Sequence, residues 1–195
     1  ILTSISCSLI EKTIVTSDDH RALEIGIRHG CIDHKRPSVL SEDSTGMLEV
    51  LKDVILKFDL VSYFDAIILL QPTSPFRDGV FLEDCIKCFE ANDFDSLMSI
   101  KNVDSDILKS LIEVNSEYVP INNESFLFSR RQDLPNVAKV DGSVFIFNIK
   151  SLTNSNTLFF NNPKYILNST KYNIDIDTPS DFLTVEKYLK LINKQ

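Results

Sequence analysis

The stretch Asp65-Ala66-Ile67-Ile68-Leu69-Leu70-Gln71-Pro72-Thr73-Ser74-Pro75-Phe76-Arg77 decides how the chain is read. Residues 66–70 carry no polar side chain, and a strand without polar alternation is buried on both faces, as in parallel sheets covered by helices. The two prolines at positions 72 and 75 end the strand. Ligands of open α/β sheets bind beyond the carboxyl ends of the strands, which makes residues 71–77 a candidate site. Gln71 both donates and accepts hydrogen bonds, which suits a sugar hydroxyl or amide. A rigid proline turn with no ligand accounts for the same residues equally well.

Working outward, strands and helices alternate through the first hundred residues. Residues 1–9 read as the end of a helix, and residues 12–17 form a β-branched run read as a strand. Asp18 and Asp19 supply a cap and an acidic first turn for a helix ending near Gly30. Arg36 and Pro37 fall in a loop. Met47, Val50, Leu51, Val54, Ile55 and Phe58 recur at helical spacing. A further helix is expected at residues 80–91 and a strand at 95–100. The pattern predicts α/β/α layers around a mostly parallel, Rossmann-like sheet in a single domain spanning residues 1–195. The second half is less regular. Strands are expected at residues 111–114, 140–148 and 172–176, with polar loop at 115–136 and loop or extension at 148–162. Thr178 and Pro179 open a last helix with proline at its permitted first position.

Composition narrows the function. The 195 residues are 43% hydrophobic and 25% charged, ordinary for a globular protein, and the net charge is -8. An acidic chain repels phosphate backbones, so no nucleic-acid partner is expected. No apolar run reaches the roughly 20 residues that span a membrane. The N-terminus has no basic region followed by an apolar stretch, and the expected compartment is the cytoplasm. Four cysteines are too few for a disulfide scaffold. Cys85 and Cys88 form a CxxC pair, but they lie in a helical pattern with no second pair, and are read as thiols on or near a buried helix face. The sequons at Asn123 and Asn168 are read as chance matches.

Three groups of polar residues stand out. Asp175 and Asp177, two apart in an extended segment, share a face. Two carboxylates held together call for a cation, and magnesium on a nucleotide uses one or two carboxylates plus phosphate oxygens. Asp177 alone is better explained as a helix cap, but the pair is not. Arg130, Arg131 and Lys139 gather cations beside a loop, suited to a carboxylate or phosphate, or simply to solvent. The adjacent Phe159 and Phe160 point opposite ways in an extended segment, one to the core and the other towards a ligand or a partner chain. The five glycines form neither GxGxxG nor GxxxxGK.

In this order, Ile14-Val15-Thr16-Ser17-Asp18-Asp19, Arg36-Pro37-Ser38, residues 40–43, residues 69–77, residues 131–135, residues 142–147 and Asp175-Ile176-Asp177-Thr178-Pro179 resemble the acylneuraminate cytidylyltransferase family. The Gln-Pro-Thr-Ser-Pro and Asp-Ile-Asp-Thr-Pro elements are the most specific. The resemblance implies a nucleotide-diphospho-sugar transferase fold with a dimerisation extension around residues 115–170. It implies transfer of CMP from CTP to an acidic nine-carbon sugar, of sialic, legionaminic or pseudaminic type, with release of pyrophosphate by a homodimer. By resemblance, Arg36 contacts the nucleotide, Gln71 the sugar, and Asp175 and Asp177 hold magnesium and help activate the sugar hydroxyl. Arg131, Lys139 and Lys109 face the anionic sugar, Phe145 lines its pocket, and Phe159 and Phe160 sit on the extension. Met47 and Lys139 depart from the family, which often has Ser or Thr and Arg there. The family's first strand and phosphate-gripping loop precede the point matched by Ile1, so the chain by itself is expected to have little or no activity. The competing reading is an inactive sugar-nucleotide-binding or dimerisation module.

Overall fold

The computed structural model describes residues 1–170 and 173–192. After a short helix α1 (Leu2–Ser6), strand β1 (Ile14–Ser17) leads into helix α2 (His20–Arg28) and returns as β2 (Ile32–Lys35), paired in parallel with β1. The Asp19 carboxylate caps α2 by accepting the Arg21 backbone N–H at 2.8 Å. Helix and strand approach closely at Gly26, where a Cβ would lie 2.7 Å from Val15 Cγ2.

Helix α3 (Met47–Lys57), strand β3 (Ala66–Leu69), helix α4 (Gly79–Glu90) and strand β4 (Ser96–Val103) follow. Hairpin strands β5 (Leu111–Val114) and β6 (Glu117–Pro120) come next, then β7 (Val137–Asn148), α5 (Ile149–Asn154), β8 (Pro163–Leu167) and α6 (Pro179–Ile192). The main sheet has the order β3-β7-β4-β8. Strand β7 runs antiparallel to both neighbours, and β8 runs parallel to β4. Three of its four strands therefore point the same way, with β7 inserted against them.

Alternation along β7 builds two cores. Val144 and Ile146 face α4, where they meet Leu82, Cys85, Ile86 and Phe89. Phe145 and Phe147 face the opposite side and pack with Leu51, Val54 and Ile55 of α3 and with Ile149 and Leu152 of α5. The result is the expected three-layer arrangement, helix on both faces of one sheet. Ile14 of β1 packs against the α3 side of this core.

Several elements depart from the sequence reading. Residues expected to be loop contain β6 and α5, and β2 and β8 were not anticipated. The β5–β6 turn places Asn115 and Ser116 at φ 52° and 66°, the left-handed pair that a two-residue hairpin needs. Of the strand expected at residues 172–176, Tyr172 lies outside the described residues. Residues 173–176 belong to no strand, and the Ile176 N–H donates to the Thr73 carbonyl at 2.9 Å.

Candidate active site

The site grows out of an irregularity in the sheet. Met98 of β4 pairs with Phe145 and Ile100 with Val140, so the single residue Ser99 faces residues 141–144 of β7. Such bulges bend a strand and re-aim its side chains. Gly142 sits in this bulge at φ +75°, a conformation that L side chains rarely adopt. A Cβ there would lie 2.9 Å from Gln71 Oε1, 3.4 Å from Ser74 Oγ and 3.7 Å from Asp175 Oδ2. One bare backbone position thus gathers the β3–α4 loop and the segment before α6.

Buried polar bonds fix these pieces. Asp141, 2% exposed, accepts hydrogen bonds from the Ser99 hydroxyl, the Ser143 N–H, Asn168 Nδ2 and Asn173 Nδ2. Burial pushes its carboxyl up, but these bonds outweigh burial and hold it below the usual carboxylate value. Arg77 staples the loop to the bulge: its Nε donates to the Ser143 carbonyl at 2.6 Å and its Nη2 to the Gln71 carbonyl at 2.8 Å. Burial lowers the Arg77 guanidinium to about 10, opposed by Asp141, so it stays charged at neutral pH. Lys101 Nζ donates to the Asn173 carbonyl at 3.2 Å.

Among the described residues, two atoms at the centre are left without hydrogen bonds: Ser74 Oγ and Asp175 Oδ1, both buried. A buried carboxylate oxygen without a donor is unfavourable unless a cation meets it. The donor set fits magnesium. Among the described residues no three His, Cys, Asp or Glu side chains converge on one point, and magnesium on a nucleotide needs only one or two carboxylates with phosphate oxygens. Asp177 is exposed and leaves the capping of α6 to others. Thr178 and Asp181 do that work, with the Thr178 N–H and Oγ1 each 2.8 Å from Asp181 Oδ2.

The remaining sequence-derived residues lie in different parts of the fold. Lys139 lies on β7 directly across from Lys101, and this like-charged cross-strand pair was not anticipated. Arg36 lies at the carboxyl end of β1–β2, its Nη2 donating to the Thr16 carbonyl at 3.0 Å. Arg131 and Lys109 lie elsewhere, each beside an acid: Arg131 Nη2 is 2.7 Å from Asp104 Oδ2, and Lys109 Nζ is 3.9 Å from Asp106 Oδ1. Phe145 is buried and stacked on Phe147 with centroids 6.3 Å apart, so its ring belongs to the core. Phe160 tilts onto Phe147 at 6.0 Å, while Phe159 is 89% exposed. Cys85 is fully buried and its thiol is pushed up to about 12 by burial, which makes it inert. Asn168 is buried on Asp141, so its sequon is structural. No local signal marks Ser74 in the sequence: Gly142, the residue it approaches at the bulge, is 68 positions away.

No family model matches the chain. It is 27% identical over 203 residues to the CMP-N,N'-diacetyllegionaminic acid synthase of Legionella pneumophila, covering 98% of this chain and 83% of that protein. It is 24% identical over 183 residues to an N-acylneuraminate cytidylyltransferase of Streptococcus agalactiae, covering 90% of this chain and 42% of that one. Among solved structures, CMP:2-keto-3-deoxy-manno-octonic acid synthetase complexed with CTP superposes with a TM-score of 0.71 at 14% identity, over 97% of this chain and 85% of that one. The last likeness shows the fold alone, an α/β nucleotidyltransferase fold. The first two run along most of the sequence, and the chain is a homologue of the N-acylneuraminate cytidylyltransferases and CMP-legionaminic acid synthases.

Proposed function

We propose that the protein is a cytidylyltransferase that joins CMP from CTP to a nonulosonic acid, of the sialic, legionaminic or pseudaminic kind, and releases pyrophosphate. The observation that carries this reading is the convergence of Gln71 and Asp175 on Gly142, with one Asp175 oxygen buried and unbonded. The homology to synthases of such products supports it.

In this reading Gln71 orients the sugar and Arg36 holds the nucleotide. Lys139 and its neighbour Lys101 offset the sugar's carboxylate, with Arg131 approaching from the extension and Lys109 from the turn that precedes it. Asp175 and Asp177 hold magnesium, which would neutralise the triphosphate and make the sugar hydroxyl more acidic. The protein's contribution is position and charge: gathering several anions requires cations and fixed donors rather than a covalent intermediate. Phe145 acts from the core, supporting the strand that carries the bulge. The protein works as a homodimer through the β5–β6 hairpin, where the cross-strand pair Ile112 and Val119 remains 48% and 38% exposed. Phe128, shortly after the hairpin, is 91% exposed and adds to the apolar surface offered to the partner.

The test is pyrophosphate release from CTP and magnesium with sialic, legionaminic and pseudaminic acids in turn. Release with at least one acid is expected from a form that carries the family's first strand and phosphate-gripping loop ahead of Ile1, and little or none from the 195 residues alone. A folded form carrying that loop but silent with every acid would favour the binding-module reading.

A further inference from the structure

His34 is a buried titratable group that the reaction above does not use. It is fully buried on β2, opposite Thr16 in the β1–β2 register. Its Nδ1 lies 2.8 Å from Thr16 Oγ1 and its Nε2 lies 3.1 Å from Asp53 Oδ2 of α3, a close contact not aligned as a hydrogen bond. The edge of Phe58 closes the ring in, with centroids 5.8 Å apart. Around it stand the cations Lys57 and Arg36 and the carboxylate of Asp53. Burial first, then Lys57 and Arg36, lower its pKa against the pull of Asp53, so the ring is neutral at pH 7.

A neutral imidazole has one donor and one acceptor. With the proton on Nδ1, the Nε2 lone pair would face a carboxylate at 3.1 Å. The proton therefore belongs on Nε2, and Nδ1 accepts from the Thr16 hydroxyl. That orients the Thr16 lone pairs towards Arg36, whose Nε lies 3.5 Å from Thr16 Oγ1 while its Nη2 donates to the Thr16 carbonyl at 3.0 Å. The line Asp53, His34, Thr16, Arg36 links a helix, two strands and the loop at their carboxyl end.

We infer that His34 and Thr16 are positioning residues that hold the Arg36 guanidinium in the orientation in which its remaining donors meet the nucleotide. The inference rests on the reading that Arg36 contacts CTP. The single variants and the pair with Arg36→Ala separate the two ideas. CTP affinity is measured by titration calorimetry for Thr16→Val, Thr16→Ser, His34→Gln and Arg36→Ala, and for Thr16→Val combined with Arg36→Ala, with melting temperatures as the folding control.

Loss of one oriented hydrogen bond is worth about 3- to 10-fold in affinity. Thr16→Val and His34→Gln are expected to weaken CTP by that factor with kcat nearly unchanged, and Thr16→Ser to restore it. Thr16→Val is expected to add nothing once Arg36 is gone. The imidazole ¹⁵N shifts of the folded chain are expected to report the Nε2–H tautomer. Full affinity in Thr16→Val beside a weakened Arg36→Ala would overturn the positioning role and leave the function standing. An equal loss from Thr16→Val in the Arg36→Ala background, or an Nδ1–H tautomer, would also overturn it. Unchanged affinity in Arg36→Ala, or no binding by the parent chain, would remove the reading beneath it.

Discussion

Replacing Gly142 by alanine isolates the geometry of the site from its chemistry. Two separate effects are expected. The first is backbone strain: alanine at φ +75° costs about 1–2 kcal/mol. In a chain of this size that lowers the melting temperature by about 2–8 °C. The second is displacement. The new methyl would sit 2.9 Å from Gln71 Oε1, closer than real contacts allow, and would press on Ser74 Oγ and Asp175 Oδ2. The Gln71 amide end is mobile enough to yield with little further loss of stability, but it yields out of the position where it meets the sugar. A misplacement approaching 1 Å costs up to about 10²-fold in rate. Gly30 provides a matched control, since it has φ +76° with nothing within 4 Å of its would-be Cβ. Gly30→Ala is expected to lose similar stability and no activity. Melting curves and kcat/KM for the sugar, read by pyrophosphate release, are measured on both variants. Equal kcat/KM in Gly142→Ala and Gly30→Ala would refute the claim that Gly142 shapes the site.

Four other outcomes are expected. Stability should fall with acidification below pH 6.5. An unfolded His34 takes up a proton near its ordinary value of 6.5, while the buried ring resists until lower pH, so the unfolded state binds more protons in that window. Denaturant midpoints at pH 7.5 and 5.5 should show the loss, and His34→Gln should flatten it. Asp175→Asn should remove the magnesium dependence of pyrophosphate release along with most of the release, while leaving the melting temperature near that of the parent; unaltered turnover would exclude Asp175 from the site. Leu82→Ala empties a fully buried position on α4 and should cost about 2–5 kcal/mol, read from chemical denaturation. Ile112→Glu should convert a dimer to monomer in sedimentation velocity, because the charge would have to be buried against the partner.

The apolar run at residues 66–70 and the helical periods of α3 and α4 made the layered α/β fold legible, because burial on both faces of a strand and on one stripe of a helix is written locally. The Gln71 loop and Asp175 were legible for a related reason: short motifs carry their own turn and cap chemistry. Other elements left no such trace. The inward position of β2 is His34, stabilised by Thr16 and Asp53, so no apolar alternation marks the strand. Strand β8 opens on Pro163 at the sheet edge, where a missing N–H is tolerated. The turn Asn115-Ser116 lacks the glycine that usually announces a hairpin.

The core placement of Phe145 and the Lys101–Lys139 pairing depend on register between strands some 40 residues apart. So does the bulge that sets four residues of β7 against Ser99. The sequence put forward the residues proposed to carry the chemistry. The tertiary structure decided which of them meet, because strand register and a single left-handed glycine are settled only when distant segments pack.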